Sequence, residues 1–200
     1  MVSNAPSASS TPARFAAVGA GRMGRGIAVA FAYAGHRIAL IDLRERSPEA
    51  MQKLRAEVQT EVESALRNLA DLGVVPPEQV EQIAARVELV EARNAPQALA
   101  GAELLFEGVP ETMEAKKDAF DWMNRYCRDD AILTSTTSSI LVTQLKDLVR
   151  LPERFLNMHW LNPAYVIPVV ELSCHEGTAP EMLARAKAIM ESIGKLPVVC

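Results

Sequence analysis

The chain has 200 residues, 49% of them hydrophobic and 23% charged, with a formal net charge of −4. That composition suits a soluble globular protein of one domain, or one domain with a short appendage, long enough to bury a sizeable core. The acidic balance argues against a nucleic-acid surface, and no apolar run approaches the roughly 20 residues needed to span a bilayer.

Residues 1–13, MVSNAPSASSTPA, are small and polar, with no apolar stretch of the kind a secretory signal carries. They read as a disordered tail, which leaves 14–200 for the folded domain. Cys127, Cys174 and Cys200 are far apart and odd in number. They show no CxxC or Cys/His spacing, so no metal site is expected, and the thiols read as reduced in a cytoplasmic protein.

Phe15 to Val18 is a short apolar run that meets Gly19-x-Gly21-x-x-Gly24, then a helical pattern closed by Gly35, then a second apolar run ending in Asp42. This order of elements is the dinucleotide fingerprint in its required context. Gly19 makes the tight turn, Gly21 lets the backbone approach a pyrophosphate, and Gly24 lets the helix pack closely on the sheet. Arg22 and Met23 open the helix, whose N-terminus presents free N–H groups and a positive dipole end to phosphates. Asp42 lies 18 residues after Gly24. A carboxylate there accepts the hydroxyls of the adenine ribose and repels a 2′-phosphate, which favours NAD over NADP. Arg44 and Arg46, just past that strand, are residues able to hold a 2′-phosphate.

A long helix is expected from Ser47 to Leu72, with Ser47 as N-cap, Pro48 first in the helix and Gly73 as its stop. Pro76-Pro77 opens a second helix through Ala85. The pair reads as a hairpin projecting from the sheet, since it exceeds what a crossover between parallel strands needs. Strands follow at Val87–Val90 and Glu103–Val109, a helix at Thr112–Tyr126, a strand at Ala131–Thr134 and a helix over 143–149. Phe155–Trp160 and Val169–Cys174 read as strands around an Asn162-Pro163 turn, followed by a helix from Pro180 to Ile193 and a strand from Leu196 to Val199. Alternating strands and helices imply an α/β domain with a mostly parallel, doubly wound sheet. Ligands bind such sheets at the carboxyl ends of the strands, where Asp42, Glu111, Ser138 and His159 fall.

GAGRMGRGIA, GVPETMEAKK, STTSS, RFLNMHWLNP and PVVEL, in that order, resemble the NAD-binding domain of the L-3-hydroxyacyl-CoA dehydrogenase family, from about Arg14 to Cys200. The resemblance implies a Rossmann-type sheet with a helical hairpin inserted after the second strand. It implies hydride transfer between the C3 hydroxyl of an L-3-hydroxyacyl-CoA and NAD. His159 matches the family's catalytic histidine and Glu171, 12 residues on, its partner glutamate. An imidazole suits the removal of a hydroxyl proton, and a carboxylate on its second nitrogen orients it. Ser138 matches the active-site serine. Glu111, Lys116, Ser138 and Asn162 match positions near the nicotinamide and its ribose.

Plainer readings stand beside these. His159 could be a packed core histidine beside Trp160. Ser138 or its neighbours could cap the next helix, Glu111 and Lys116 could form a surface pair, and Asn162 could mark only a turn. His36 and His175 read as loop residues. In CoA-ester members the hairpin offers a lysine to the CoA phosphates. Here ESALRNLADLGVV has Arg67 and Asp71 but no lysine, and NPAYVIPVVEL is closer to relatives that oxidise free 3-hydroxy acids such as gulonate and carnitine. A free 3-hydroxy acid is therefore the alternative substrate, and a non-catalytic NAD(H)-binding module the alternative class. Family members carry a helical C-terminal domain after GKxPVxx that closes the cleft, adds an active-site asparagine and forms the homodimer. That domain is absent from these residues, so the expectation is a chain that binds NAD but catalyses poorly by itself.

Overall fold

The computed structural model describes residues 13–200, so the expected tail lies outside the described residues except for Ala13. Ala13, the last residue assigned to that tail, is buried.

The sheet has eight strands in the order β3-β2-β1-β4-β5-β6-β7-β8. They are β1 Phe15–Val18, β2 Ile38–Asp42, β3 Val87–Glu91, β4 Leu104–Glu107, β5 Ile132–Ser135, β6 Phe155–Trp160, β7 Val169–Ser173 and β8 Leu196–Val199. The first six run parallel; β7 pairs antiparallel with β6, and β8 runs parallel to β7. Strands β1, β2, β4 and β5 are buried along their whole length because helices cover both faces. Side chains alternate between two cores. Phe15 and Ala17 face one core, with α1 (Arg22–Tyr33), α2 (Pro48–Asp71), α3 (Val80–Ala84) and α7 (Pro180–Ser192). Ala16 and Val18 face the other, with α4 (Ala95–Gly101), α5 (Met113–Tyr126) and α6 (Val142–Leu145).

Several expectations are corrected. The hairpin does not stand away from the sheet. Met51, Leu54, Val58, Val62, Leu66 and Leu69 put a buried residue on nearly every turn of α2, packed into the same core as α1. Its second limb is a 3₁₀ turn over Pro77–Gln79 followed by the short α3. The helix expected over 143–149 is α6 plus a 3₁₀ turn at Lys146–Leu148. Helix α4 is unforeseen. It buries only Ala95 and Leu99, too few positions for a 3.6-residue period to register. Strand β4 stops at Glu107 rather than Val109 because the Glu107 carboxylate accepts the Val109 N–H at 3.0 Å and bends the chain.

Candidate active site

The turn between β1 and α1 is held by backbone contact. Gly19 has φ +110°, and a Cβ there would lie 2.7 Å from the carbonyl oxygen of Gly108. A Cβ on Gly24 would lie 2.0 Å from the Gly19 oxygen, so the first turn of α1 rests directly on the strand end. Gly21 differs, because nothing lies within 4 Å of where its Cβ would stand. Helix α1 starts there with no side-chain cap and no acidic residue in its first turn, so its free N–H groups face open space. That space is a cleft of about 780 Å³ whose walls include Gly19, Gly21, Arg22, Met23, Asp42 and Asn162. Asp42 ends β2 at 5% exposure. Arg46 turns back onto its carboxylate, with a second contact at 3.5 Å, and Arg44 lines the cleft beside it. The uncapped helix end, the open ground at Gly21 and the acid at the end of β2 fit a dinucleotide.

Past the ends of β4 and β5 lies a connected polar network. Glu107 is fully buried; it receives Lys116 Nζ at 3.1 and 2.9 Å and the Ser135 hydroxyl at 2.6 Å. Lys116 is 1% exposed and also pairs with Glu111 at 3.1 Å. One oxygen of Glu111 accepts the Thr137 hydroxyl, the backbone N–H of Ser138 at 3.1 Å, and the N–H and hydroxyl of Ser139 at 3.1 and 2.9 Å. Burial pushes the Glu111 carboxyl up, but hydrogen bonds from Thr137, Ser139 and Lys116 outweigh it and hold the group down at about 2. The surface-pair reading of Glu111 and Lys116 is therefore overturned, because Lys116 is buried. Together the two clamp the loop that carries Ser138. The helix-capping reading is overturned as well, because α6 begins after Leu141 with no side-chain cap. The Ser138 hydroxyl has no partner among the described residues.

His159 and Glu171 are directly opposed residues of the antiparallel β6–β7 pair, and His159 Nδ1 lies 2.8 Å from Glu171 Oε2. Strand periodicity sets the orientation. Leu156, Met158 and Trp160 enter one core, so His159 points the other way, with its side chain 25% exposed. Its Nε2 has no partner among the described residues. The packed-histidine reading thus fails for His159 and describes His175. That ring is buried against Phe155; its Nδ1 accepts the Gly177 N–H at 3.0 Å and its Nε2 donates to Pro152 O at 2.9 Å. Asn157, two residues before His159 on the same face, donates to Thr137 O at 3.1 Å and ties the histidine strand to the Ser138 loop.

Glu107, Ser135, Thr137 and Asn157 are polar neighbours of the candidate site not foreseen from the sequence. The one signal for Glu107 was an acid closing the apolar run LLFE at a strand's carboxyl end. Among the described residues, no group of three His, Cys, Asp or Glu could hold a metal ion, and no helix is long and apolar enough to cross a membrane.

A doubly wound sheet with a glycine turn, an uncapped helix and a strand-end acid around one cleft defines an NAD-binding domain. Residues 14–200 match the 3-hydroxyacyl-CoA dehydrogenase NAD binding domain, and the chain belongs to that family. It is 31% identical over 184 residues to a 5-formyl-3-hydroxy-2-methylpyridine 4-carboxylate 5-dehydrogenase of Mesorhizobium japonicum, covering 92% of this chain and 56% of the relative. It is 35% identical over 192 residues to a lambda-crystallin homolog of Bos taurus, covering 95% and 57%. The crystal structure of (S)-3-hydroxybutyryl-CoA dehydrogenase PaaH1 from Ralstonia eutropha superposes with a TM-score of 0.80 at 28% identity, over 94% of this chain and 63% of that one. The chain thus spans little more than half the length of the curated relatives it matches.

Proposed function

We propose that the protein of which this domain is the NAD-binding part transfers hydride between the C3 hydroxyl of an L-3-hydroxyacyl-CoA and NAD. The observation that carries this is the His159–Glu171 pair at 2.8 Å, three residues along the chain from Asn162 in the nucleotide cleft. NAD, when bound, supplies the hydride acceptor. Gly19, Gly21, Arg22, Met23 and Gly24 offer the phosphates backbone N–H groups and a helix dipole. Asp42 takes the adenine ribose, and Asn162 and Glu111 serve the nicotinamide end. Lys116 acts through Glu111. His159 Nε2 removes the C3 hydroxyl proton, while Glu171 holds the Nδ1–H and stabilises the imidazolium that forms. The Ser138 hydroxyl donates to the C3 oxygen. In the reverse direction the imidazolium returns its proton to that oxygen. A homodimer built on the family's helical C-terminal domain and a cytoplasmic setting belong to the same proposal.

A free 3-hydroxy acid is the second reading, and helix α2 favours it. Arg67, the cation of the ESALRNLADLGVV stretch, is paired with Glu63 at 2.7 Å, and Asp71 follows one turn on. The relatives differ in substrate, since one is named for a CoA ester and another for a pyridine carboxylate. The deciding assay is NADH oxidation with acetoacetyl-CoA, run beside NAD reduction with gulonate and with carnitine. Turnover of the thioester supports the first reading, and turnover of a free acid alone replaces it with the second. NADH binding without turnover of any substrate by the whole protein would make the domain a cofactor-binding module.

A further inference from the structure

Lysine is a surface residue by default, and one is expected to remain so between a helix-ending glycine and an edge strand. Lys195 occupies that place, yet it is only 9% exposed. Its Nζ donates to Ala164 O at 2.7 Å and to Ile167 O at 2.8 Å, and it stands 5.7 Å from the centroid of the Trp160 ring. No carboxylate is within ion-pair distance among the described residues.

We propose that Lys195 is a positioning residue, whose ammonium pins the 163–167 turn against Trp160 and thereby sets the place of Asn162 in the nucleotide cleft. This rests on the reading of that cleft given under Proposed function. The turn by itself is weakly closed. Val166 and Ile167 both donate to the same acceptor, Pro163 O, at 2.9 and 3.0 Å. That leaves the carbonyls of Ala164 and Ile167 to find donors elsewhere, and Lys195 satisfies both. The turn also lies hard against α1, where a Cβ on Gly26 would meet Ala164 Cβ at 3.2 Å. Asn162 lines both the main cleft and an adjoining cavity of about 400 Å³, which Ala164 and Tyr165 help to wall. Lys195 therefore touches the connection between the two strands that carry His159 and Glu171. From the far side, Leu196 N–H donates to Pro168 O at 2.8 Å and β8 pairs with β7.

A buried cation without a counter-ion is a poor way to gain stability, and an unbranched apolar side chain of similar length would fill the space more cheaply. Stability alone therefore does not account for this lysine, whereas its hold on two carbonyls does. Burial lowers its pKa to about 8. The ionisable side chains on the surrounding elements include Tyr165 on the turn, His159 and Glu171 on β6 and β7, Arg25 on α1 and Glu191 on α7. None of them bonds to Lys195.

The test compares Lys195→Met with the unaltered 200-residue chain by NADH fluorescence titration, amide hydrogen exchange over 162–168 and thermal unfolding. The proposal expects a melting temperature within a few degrees of the parent, because relief from burying the cation offsets the two carbonyls left without a donor. It expects the Val166 and Ile167 amides to exchange at least about tenfold faster, and the NADH Kd to rise about tenfold at pH 7, the scale of one lost charge-assisted contact. Between pH 7 and about 9.5 the unaltered chain should lose roughly threefold in affinity as the ammonium gives up its proton, while the variant stays level. Should the methionine variant not fold, Lys195→Gln keeps an uncharged NH₂ donor and should show the same changes at smaller size. Unchanged exchange and unchanged NADH affinity would overturn the proposal alone. Failure of the unaltered chain to bind NADH would overturn the cleft reading and this proposal with it.

Discussion

At the nucleotide end of the sheet, position is set by backbone. Gly19 and Gly24 touch each other and Gly108 so closely that no side chain fits, and the helix N-terminus itself is the ligand-facing group. At the histidine end, position is set by side chains. Glu107, Lys116 and Glu111 hold the Ser138 loop, Asn157 ties that loop to β6, and β6–β7 pairing opposes His159 to Glu171. A short continuous segment can encode the first kind of site. The second needs residues from three strands, one helix and two loops to agree.

If the two ends are separable, substitutions at one should leave the other intact. The largest effect is expected from His159→Gln in the whole enzyme. Turnover should fall about 10²- to 10⁴-fold, the usual range for losing a general base, with NADH affinity within about twofold. Steady-state kinetics beside a fluorescence titration would show this, and a parallel loss of NADH affinity would break the separation. Glu107→Gln comes next. It leaves a buried ammonium facing a neutral amide, which should lower stability by about 3 kcal/mol. Urea unfolding reads that change, and a midpoint within error of the parent would mean the network does not hold the loop.

Asp42→Ser tests the nucleotide end. It removes the carboxylate and frees Arg46 beside Arg44, so the NADPH-to-NADH affinity ratio should rise about tenfold or more while the His159–Glu171 geometry is untouched. Paired titrations with the two cofactors measure it; an unmoved ratio would show that Asp42 does not select against the 2′-phosphate.

The smallest effect concerns Glu111. Its folded pKa of about 2 lies below the ordinary 4.5, so its contribution to stability is present above pH 4.5 and is lost as the pH falls through 2. With 38% of the side chain exposed, screening limits that contribution to about 1 kcal/mol. Glu111→Gln should therefore cost about that much near neutrality, with the difference from the parent closing between pH 4.5 and 2. Acid unfolding curves that stay parallel through this window would deny the carboxylate its clamping role.

Most of the fold was readable because its signals are local. The glycine turn, the apolar strands, the cap at Ser47 and the stop at Gly73 each declare themselves within a few residues. Helix α4 was not readable, since two buried positions cannot display a period. The packing of α2 onto α1 was misread for a different reason. An amphipathic stripe states that a helix buries one face but not against what.

The sequence by itself determined the order of the strands, the cofactor turn and the placement of His159 and Glu171 on strands and of Ser138 just past one, because backbone conformation and side-chain periodicity are properties of neighbouring residues. Tertiary structure alone decided which polar groups are buried and what satisfies them. Lys116 and Lys195 look like surface lysines in the sequence, and Glu107 like any acid after a strand. Each is buried because strands and loops distant in the chain close over it, and a buried charge must then find its partners among whatever those segments supply.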